Sequence, residues 1–478
     1  MTTFQRVPDI SFPSIDAIFA AQQANRRQVA ATTASERIAK LKRLKESLVA
    51  HRENFQKAVF DDFKKPAPEL DLIEIYPLLQ EIKHVSKRLR RWMRPKRVST
   101  PLPLLGTSSH IQYEPKGVAL IISPWNFPLQ LSVSPLISAI AAGNTAILKP
   151  SEFTPYTSAA LKKMLLEIFP ENEAAVVEGG PEVAQHLLTL KFDHIFFTGS
   201  PQVGKLVMKA AAEHLTSVTL ELGGKSPVIV HQDANIEAAA RRTVAGKLSN
   251  CGQICVAPDY ALVHESNQTA FVEAYAKNVE QMYGATDEAR LQGDYTRIVN
   301  AQHTARLKDL LEDAVQKGAT VLYGGSMSEG DHYFSPTVLG NVKANMRVAS
   351  EEIFGPILPI ITFSKLEEAI AIINEKEKPL AMYIFSSSKN AIQQVLHQTS
   401  AGGVTINDVG MHFYNYHLPF GGVNHSGIGK GHGEFAFQEF SNAKAVLKQW
   451  SPKPAIEMMY PPFTSRTKKI IEWVLKYF

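Results

Sequence analysis

Cysteine is scarce in this sequence, with only Cys251 and Cys255 among 478 residues. The segment Met1–Ser14 has no basic stretch followed by an apolar core. We therefore expect no signal peptide and a reducing, cytoplasmic location. Two thiols alone do not complete a zinc site, so we expect no metal centre. In such a compartment a thiol stays available as a nucleophile.

Long apolar runs are also lacking, and none approaches the roughly 18 residues that a membrane-spanning helix needs. The net charge of +5 is modest for this length, yet basic residues gather between Lys83 and Arg97 without an intervening acid. A solvated helix face is the simpler interpretation, and an anionic membrane surface is the alternative. No nucleic-acid-binding motif accompanies the charge, so we expect no nucleic-acid partner.

The Gly-x-Gly-x-x-Gly fingerprint of ordinary dinucleotide-binding folds is missing too. The nearest feature is Gly199-Ser-Pro-Gln-Val-Gly204-Lys205, which almost matches a P-loop. Leu206 stands where a P-loop needs a hydroxyl for its metal ion. A phosphate site at a helix start, without that metal ligand, fits better. A plain strand-to-helix turn is the alternative.

The chain is too long for one hydrophobic core and predicts two to four domains. Thr33-x-x-Glu36 predicts a capping box, and a second helix is expected over 69–92 with a kink at Pro77. Short extended pieces over 94–113 predict a hairpin or arm. From Gly117 onward, apolar runs alternate with helical stretches of about ten residues, which predicts a parallel, doubly wound sheet.

Three segments carry candidate chemistry. Cys255 lies between Gly252 and Pro258, and a single helical turn would place Cys251 on the same face. Buried inert thiols, a disulfide or metal pair, and a nucleophile all remain open there. Glu221 alternates with leucines in an apolar strand, which favours a raised pKa and general-base catalysis, with a salt-bridged glutamate as the alternative. Asn126 follows a strand, where its amide suits an oxyanion or an Asx turn.

Other polar residues are less specific on their own. Lys149 and Glu152 follow a strand, where a carboxylate suits ribose hydroxyls and a capped turn is the alternative. For Phe354 and Phe420, which lie in turn-rich segments, core packing is the default. Four histidines match no metal spacing and are predicted to be polar surface or network residues, namely His412, His417, His425 and His432.

The tail, 464–478, places lysines on one helical stripe and apolar residues on another face. Docking on the protein itself is one interpretation. Lying in a membrane interface is the other, since Trp473 and Tyr477 suit that position.

Taken in order, the motifs form a set. Pro-Trp-Asn-Phe-Pro, Lys-Pro-Ser-Glu, Phe-Thr-Gly-Ser, Leu-Glu-Leu-Gly-Gly-Lys-Ser-Pro, Gly-Gln-x-Cys, Glu-Glu-Ile-Phe-Gly-Pro and Pro-Phe-Gly-Gly follow one another along nearly the whole chain. This set resembles the aldehyde dehydrogenase superfamily. Cys-Val-Ala-Pro-Asp-Tyr, Met411-His-Phe and Gly431-His-Gly resemble its class 3 branch.

The resemblance implies NAD(P)-dependent oxidation of aldehydes to carboxylic acids through a thiohemiacetal and a thioester. Cys255 would be the nucleophile, Asn126 would hold the oxyanion, and Glu221 would activate water. NAD is the expected cofactor because Glu152 repels a 2′-phosphate, with NADP left open by Lys149 beside it. The implied cofactor-binding residues are Lys149, Glu152, Gly199, Ser200, Gly204, Leu222, Glu352 and Phe354.

The implied fold class is α/β. It comprises a Rossmann-type NAD(P)-binding domain (1–93 and 115–221), an α/β catalytic domain (222–420), and a β bridging and oligomerisation arm (94–114 and 440–450). The class 3 resemblance implies a homodimer. Cys251 is a candidate oxidation partner of Cys255.

An apolar substrate pocket is expected around Ile254, Phe413 and Phe420, which suits medium- or long-chain aliphatic or aromatic aldehydes. A cysteine thioesterase or acyltransferase without nicotinamide chemistry remains the alternative.

Overall fold

A computed structural model describes residues 11–101, 104–452 and 454–477. Residues 1–10 of the predicted first domain and Phe478 of the predicted tail lie outside the described residues. The described chain builds a six-stranded and a seven-stranded sheet of mostly parallel strands, and a three-stranded antiparallel sheet beside them. The predicted α/β fold class is therefore confirmed.

The helices alternate with the strands over most of the chain. They are α1 (Phe12–Ala30), α2 (Ala34–Ala50), α3 (Arg52–Phe63), α4 (Ala67–Leu70), α5 (Tyr76–Trp92), α6 (Gln130–Ala142), α7 (Pro155–Ile168), α8 (Pro181–Thr189), α9 (Pro201–Ala212), α10 (Ile236–Leu248), α11 (Gln268–Tyr283), α12 (Asp287–Gln292), α13 (Ala301–Gln316), α14 (Arg347–Ser350), α15 (Leu366–Asn374), α16 (Lys389–Gln398), α17 (Gly433–Glu439) and α18 (Ser465–Tyr477).

The strands are short and mostly buried. They are β1 (Lys96–Val98), β2 (Thr107–Pro115), β3 (Val118–Ile122), β4 (Thr145–Lys149), β5 (Ala174–Val176), β6 (His194–Gly199), β7 (Ser217–Leu222), β8 (Pro227–Val230), β9 (Tyr260–His264), β10 (Thr320–Tyr323), β11 (Met327–Ser328), β12 (Tyr333–Phe334), β13 (Thr337–Gly340), β14 (Ile357–Phe363), β15 (Ala381–Phe385), β16 (Gly403–Ile406), β17 (Gly427–Ile428) and β18 (Ser441–Gln449).

The first sheet has the spatial order β17-β7-β6-β3-β4-β5, parallel except for β17. Every residue of β3 is buried because the sheet is covered on both faces. Ala119 and Ile121 pack with α2, α5 and α6, whereas Val118 and Leu120 pack with α8 and α9. β4 and β5 lie on one side of β3, whereas β6 and β7 lie on the other side, so the strand order reverses between β3 and β6. The residues that follow β3 and β6 lie at this switch point, where such sheets bind ligands.

The second sheet has the order β10-β13-β14-β9-β8-β15-β16, parallel except for β10. Val228 and Val230 pack with α10, α11 and α13, while Ile229 packs with α15 and α16. The predicted second alternating block therefore forms its own layered unit. Its role in this protein is to present the turn that carries Cys255, between α10 and β9.

The third sheet joins distant parts of the chain. β2 pairs with β1 and, over nine residues, with β18, so that Thr107 lies opposite Gln449. Both pairings are antiparallel. The segments predicted to form the bridging arm thus meet in one sheet, whose strand β18 is mostly exposed.

Local predictions were confirmed in part. The capping box at Thr33 and Glu36 is present, with the Thr33 N–H donating to the Glu36 carboxylate at 2.7 Å. The helix predicted over 69–92 is not a regular α-helix throughout. A π-helical segment, Asp71–Ile75, precedes α5, and Pro77 lies in the first turn of that helix. The predicted kink at Pro77 stays a prediction.

The tail forms α18, which packs against the 3₁₀ segment Ala455–Met459. Thr467 is buried, whereas Trp473, Leu475 and Tyr477 are more than half exposed. Across the described ranges, no helix combines the length and apolar character required to traverse a bilayer.

Candidate active site

A cavity of about 320 Å³ opens beside the switch point of the first sheet. Cys255 and Glu221 both lie on its wall, together with the three residues predicted for a substrate pocket, Ile254, Phe413 and Phe420. These predicted residues are far apart in sequence, so their convergence is a result of the tertiary fold. The remaining wall is mostly apolar and comes from α6, α10 and the loop that follows β16.

The segment before Cys255 is a tight turn. Asn250 and Cys251 have positive φ of 51° and 54°, and Gly252 has φ of +77°. A Cβ on Gly252 would lie 2.3 Å from the Gly355 carbonyl oxygen, so only glycine fits there. The turn separates the two thiols: Cys251 is fully buried and its S–H donates to the Tyr295 hydroxyl at 3.3 Å. The helical turn that would have placed both cysteines on one face is therefore absent from this segment, and Cys251 fits the interpretation of a buried thiol.

Cys255 is partly exposed at the cavity wall. Burial of its sulfur raises the pKa of the thiol to about 12, and the carboxylates of Glu352 and Glu221 raise it further. The backbone N–H groups of Cys255 and Val256 act in the opposite direction. The thiol form is therefore favoured near neutral pH, and a proton acceptor or a positive charge is needed to generate the thiolate.

Glu221 lies on β7 and points into a region lined by glycines. A Cβ on Gly421 would lie 2.9 Å from its Oε1, and one on Gly431 would lie 3.3 Å away. Neither carboxyl oxygen has a hydrogen-bond partner among the described residues. Burial raises the pKa of Glu221 to about 8, although the positive charge of Lys430 lowers it. With a raised pKa the carboxyl is mostly protonated at neutral pH, and its ionised fraction is the form that can accept a proton from water.

Asn126 follows β3 at the switch point and is buried. Its side-chain Nδ2 donates to the backbone carbonyl of Gln253 at 2.9 Å, which fixes it two residues before Cys255. Asn126 is not among the residues that line the cavity, but Phe127 is. An amide nitrogen carries two hydrogens, so one donor remains beyond the bond to Gln253.

The predicted phosphate-site residues lie where β6 leads into α9. Ser200 is the N-cap of α9 and accepts from the Val203 N–H at 3.4 Å. Gly204 faces Leu222, and a Cβ there would lie 2.8 Å from that side chain. Lys149 ends β4 and donates to Glu152 at 3.2 Å, with Glu152 about one third exposed. A capped helix start fits a phosphate, and a carboxylate after a strand end fits a ribose.

Glu352 and Phe354 lie on the other side of Cys255. A Cβ on Gly223 would come within 2.2 Å of the Glu352 Oε2, so this carboxylate needs glycine opposite it. Burial raises the pKa of Glu352 to about 8, and Asp259 raises it further. Phe354 has a positive φ of 46° and packs edge-on against Trp125, with ring centroids 5.4 Å apart. This backbone conformation and the contact with Trp125 fix the Phe354 ring, whose flat face can pack against a planar group.

Several site residues were not predicted. His432 is buried and lines the cavity, with its ring 5.1 Å from Phe420 and 4.6 Å from Phe413. It was predicted as a polar surface or network residue, and its burial excludes the surface interpretation. Its position between two glycines was the available signal. Leu72 and Ile73 of the π-helical segment also line the cavity.

Gln253 is the second unpredicted site residue. It is fully buried, and its side chain bonds to backbone atoms of Asn250, Arg297 and Val299 at 2.9–3.0 Å. The side chain therefore fixes the turn before Cys255 from inside the protein. Over the residues that the structure covers, no cluster of three or more His, Cys, Asp or Glu side chains could hold a metal ion.

Comparison with known proteins agrees with this geometry. Residues 2–446 match the model of the aldehyde dehydrogenase family. The chain belongs to this family. It is an oxidoreductase that oxidises aldehydes with a nicotinamide cofactor.

Its relatives include named aldehyde dehydrogenases. The chain is 44% identical to 4,4'-diaponeurosporen-aldehyde dehydrogenase of Staphylococcus aureus, over 90% of this chain and 92% of that protein. It is 42% identical to a probable coniferyl aldehyde dehydrogenase of Pseudomonas aeruginosa, over 96% and 95%. It is 41% identical to aldehyde dehydrogenase family 3 member A2 of Rattus norvegicus, over 89% and 87%.

A solved structure matches the fold. The substrate-bound state of Staphylococcus aureus AldH superposes with a TM-score of 0.91 at 42% identity, covering 96% of this chain and 99% of that one. The resemblance to the aldehyde dehydrogenase superfamily and its class 3 branch is thereby confirmed. The thioesterase alternative is not favoured.

The two thiols of this aldehyde dehydrogenase should react differently. We expect iodoacetamide to modify Cys255 slowly at pH 7 and about tenfold faster per pH unit up to pH 10, because the thiolate fraction rises towards the pKa of about 12. Cys251 should stay unmodified because it is fully buried. Intact-mass spectrometry over time measures both. Cys251→Ala should be alkylated at the same rate as the unsubstituted protein, and Cys255→Ala should not be alkylated. Fast alkylation that does not depend on pH would contradict the raised pKa of Cys255.

Proposed function

We propose that Cys255 is the catalytic nucleophile of this aldehyde dehydrogenase. The observation that carries the proposal is that Cys255 and Glu221 share one cavity with an apolar wall. The Cys255 thiolate attacks the carbonyl carbon of the aldehyde and forms a thiohemiacetal. Cys251 has no part in this step, because its S–H is bonded to Tyr295 in the core. For the same reason we do not assign it as an oxidation partner.

The oxyanion that forms on attack is held by the Asn126 amide and the Cys255 backbone N–H. The support is that Asn126 is fixed by its bond to Gln253 and keeps a second N–H for a ligand. Donors that are already oriented stabilise developing charge without reorganisation.

A nicotinamide cofactor, when bound, accepts the hydride whose loss converts the Cys255 adduct into a thioester. The residues that hold it are Lys149, Glu152, Gly199, Ser200, Gly204, Leu222, Glu352 and Phe354. We propose NAD as the preferred cofactor, since the Glu152 carboxylate, which is more exposed than the Lys149 ammonium paired with it, repels a 2′-phosphate.

Glu221 is the general base of hydrolysis. It takes a proton from water as the water oxygen adds to the thioester carbon, and the Cys255 thiolate then leaves with the electron pair of the C–S bond. A pKa of about 8 keeps both protonation states of Glu221 accessible near neutral pH, as a group that accepts and releases a proton requires.

Substitution of the two catalytic residues should separate the steps. We expect Cys255→Ser to lose aldehyde oxidation while retaining cofactor affinity. Glu221→Gln should give a burst of about one NADH per active site and a steady rate lowered by about 10²–10⁴-fold, because acylation proceeds and hydrolysis does not. Stopped-flow absorbance at 340 nm measures both phases. Cys251→Ala is the matched thiol control and should remain active. An undiminished steady rate in Glu221→Gln would show that Glu221 is not the general base.

The substrate is a medium- or long-chain aliphatic or an aromatic aldehyde. The cavity wall supports this, because Ile254, Phe413 and Phe420 are joined there by Leu131, Val409 and Met411. Relatives named for coniferyl aldehyde and for a diaponeurosporen aldehyde support the same class. Apolar side chains favour substrates roughly in proportion to the apolar area they bury.

Measuring NADH and NADPH formation with aldehydes of increasing chain length, and with benzaldehyde and cinnamaldehyde, tests both proposals. We expect kcat/KM to rise by up to about tenfold for each two methylenes added, until the cavity is filled. NAD should be preferred over NADP, and Glu152→Gln should lower the ratio of the rates with NAD and NADP. Phe413→Ala, which removes apolar area from the cavity wall, is the control variant for the pocket. A flat response to chain length, or stronger turnover of short hydrophilic aldehydes, would contradict the apolar pocket.

We further propose a homodimer in the cytoplasm, with a cofactor domain (1–93 and 115–221), a catalytic domain (222–420) and the arm (94–114 and 440–450). We propose that α18 in the tail 464–478 makes peripheral contact with an anionic membrane. Four cationic side chains, Arg466, Lys468, Lys469 and Lys476, accompany the exposed Trp473 and Tyr477 on this helix. Such a helix suits a lipid interface.

Deleting residues 464–478 should reduce sedimentation with vesicles containing phosphatidylserine and leave kcat unchanged, because the tail lies outside the cavity wall. Lys468→Glu/Lys469→Glu is the matched charge variant, and it should weaken binding by about tenfold at low salt. Vesicles of phosphatidylcholine alone are the control for charge. Equal partitioning of the full chain and the deletion variant would refute the contact.

A further inference from the structure

A fully buried ion pair lies beneath Asn126. Lys65, after α3, and Glu74, in the π-helical segment, both have no exposed side-chain area, and their Nζ and Oε1 atoms are 2.6 Å apart. Neither residue lines the cavity. The ammonium group also lies 4.5 Å from the ring centroid of Phe127 and 5.1 Å from that of Phe63. The pair is thus enclosed by protein, and the Phe127 ring that it contacts lines the cavity.

The remaining hydrogen-bonding atoms of the pair all go to one segment of backbone. Lys65 Nζ donates to the Asn126 carbonyl oxygen at 3.1 Å. Glu74 Oε2 accepts from the N–H groups of Leu129 and Gln130, both at 3.1 Å. The pair therefore holds the turn 126–130 at both of its ends, between β3 and α6.

The same carbonyl receives a bond from the turn that precedes Cys255. Asn250 Nδ2 donates to the Asn126 carbonyl at 3.0 Å and to the Gln253 carbonyl at 3.1 Å. The Asn126 side chain returns a bond to Gln253 at 2.9 Å. Lys65 and Asn250 consequently hold the backbone of Asn126 from two sides, and the Asn126 amide has little freedom relative to Cys255.

Stability alone does not explain these charges. A buried ion pair pays a large desolvation cost, and well-packed apolar residues often replace one without loss. What an apolar pair cannot supply is three directed hydrogen bonds to a backbone turn. We infer that Lys65 and Glu74 are positioning residues, which set the direction of the Asn126 amide for the oxyanion. This inference rests on the proposed role of Asn126.

The test is a double-mutant cycle between position 65 and position 126. We expect Asn126→Ala to lower kcat by about 10²–10³-fold, as loss of an oxyanion donor does. Lys65→Met should lower kcat by about 100-fold with little change in KM or cofactor affinity, because a displaced donor acts on the transition state. In the Asn126→Ala background, Lys65→Met should cost less than about threefold, because the group that it positions is already gone.

Two further variants separate positioning from general destabilisation. The double variant Lys65→Met/Glu74→Gln removes both charges, so it does not leave the Glu74 carboxylate buried without a partner. It replaces the single variant in the test if Lys65→Met does not fold. It should show the same loss of kcat. Arg37→Met is the matched control, since Arg37 is a buried cation that donates to Ala141 at the opposite end of α6, at 3.0 Å. It should lower the melting temperature and keep kcat.

The outcomes are distinct. Near-native kcat in both Lys65 variants, or losses that multiply fully in the Asn126→Ala background, would overturn the positioning role and leave the proposed function intact. Near-native kcat in Asn126→Ala would instead refute the oxyanion role on which both depend. The inference is established if Lys65→Met lowers kcat only in the enzyme that retains Asn126, and if Arg37→Met keeps its kcat.

Discussion

The side chains of Asn126 and Asn250 both donate to the backbone carbonyl of Gln253, and the position of Cys255 depends on that meeting point. Asn126 follows a strand of the first sheet, whereas Asn250 follows α10 beside the second. The Gln253 side chain is buried and bonds only to backbone atoms. The distance between the thiol and the switch point of the first sheet is therefore fixed by neutral hydrogen bonds in a water-excluded region, where such bonds are strong.

Desolvation sets the acid–base character of the site. The pKa values of Cys255, Glu221 and Glu352 are all raised, and burial is the largest cause for each. Each carboxylate also raises the pKa of the thiol. The site therefore disfavours several negative charges at once, so that deprotonation of one group is coupled to the state of the others.

The layered fold could be predicted because its signals are local. Apolar runs such as Val118–Ile122 are buried on both faces, and the capping box at Thr33 depends on residues three apart. The cavity was predicted less completely. Its phenylalanines came from motif resemblance. His432 was predicted only as a polar surface or network residue, because the glycines on either side of it do not by themselves report burial.

Two local features of the site could not be predicted from the sequence. One is the π-helical segment Asp71–Ile75, in which Glu74 is paired with Lys65. The other is the turn before Cys255, where Asn250 and Cys251 have positive φ. Neither the π-helical segment nor the left-handed turn has a periodic signal that sequence reasoning could detect.

The pairing of β18 with β2 has a consequence for biosynthesis. Thr107 finds its partner in Gln449, and β17, which extends the first sheet, begins at Gly427. Both the arm and the edge of the first sheet thus remain incomplete until residues 427–449 have left the ribosome. Unpaired strand edges favour aggregation during that interval. β2 therefore stays an unprotected edge during synthesis for longer than a strand whose partner follows it directly.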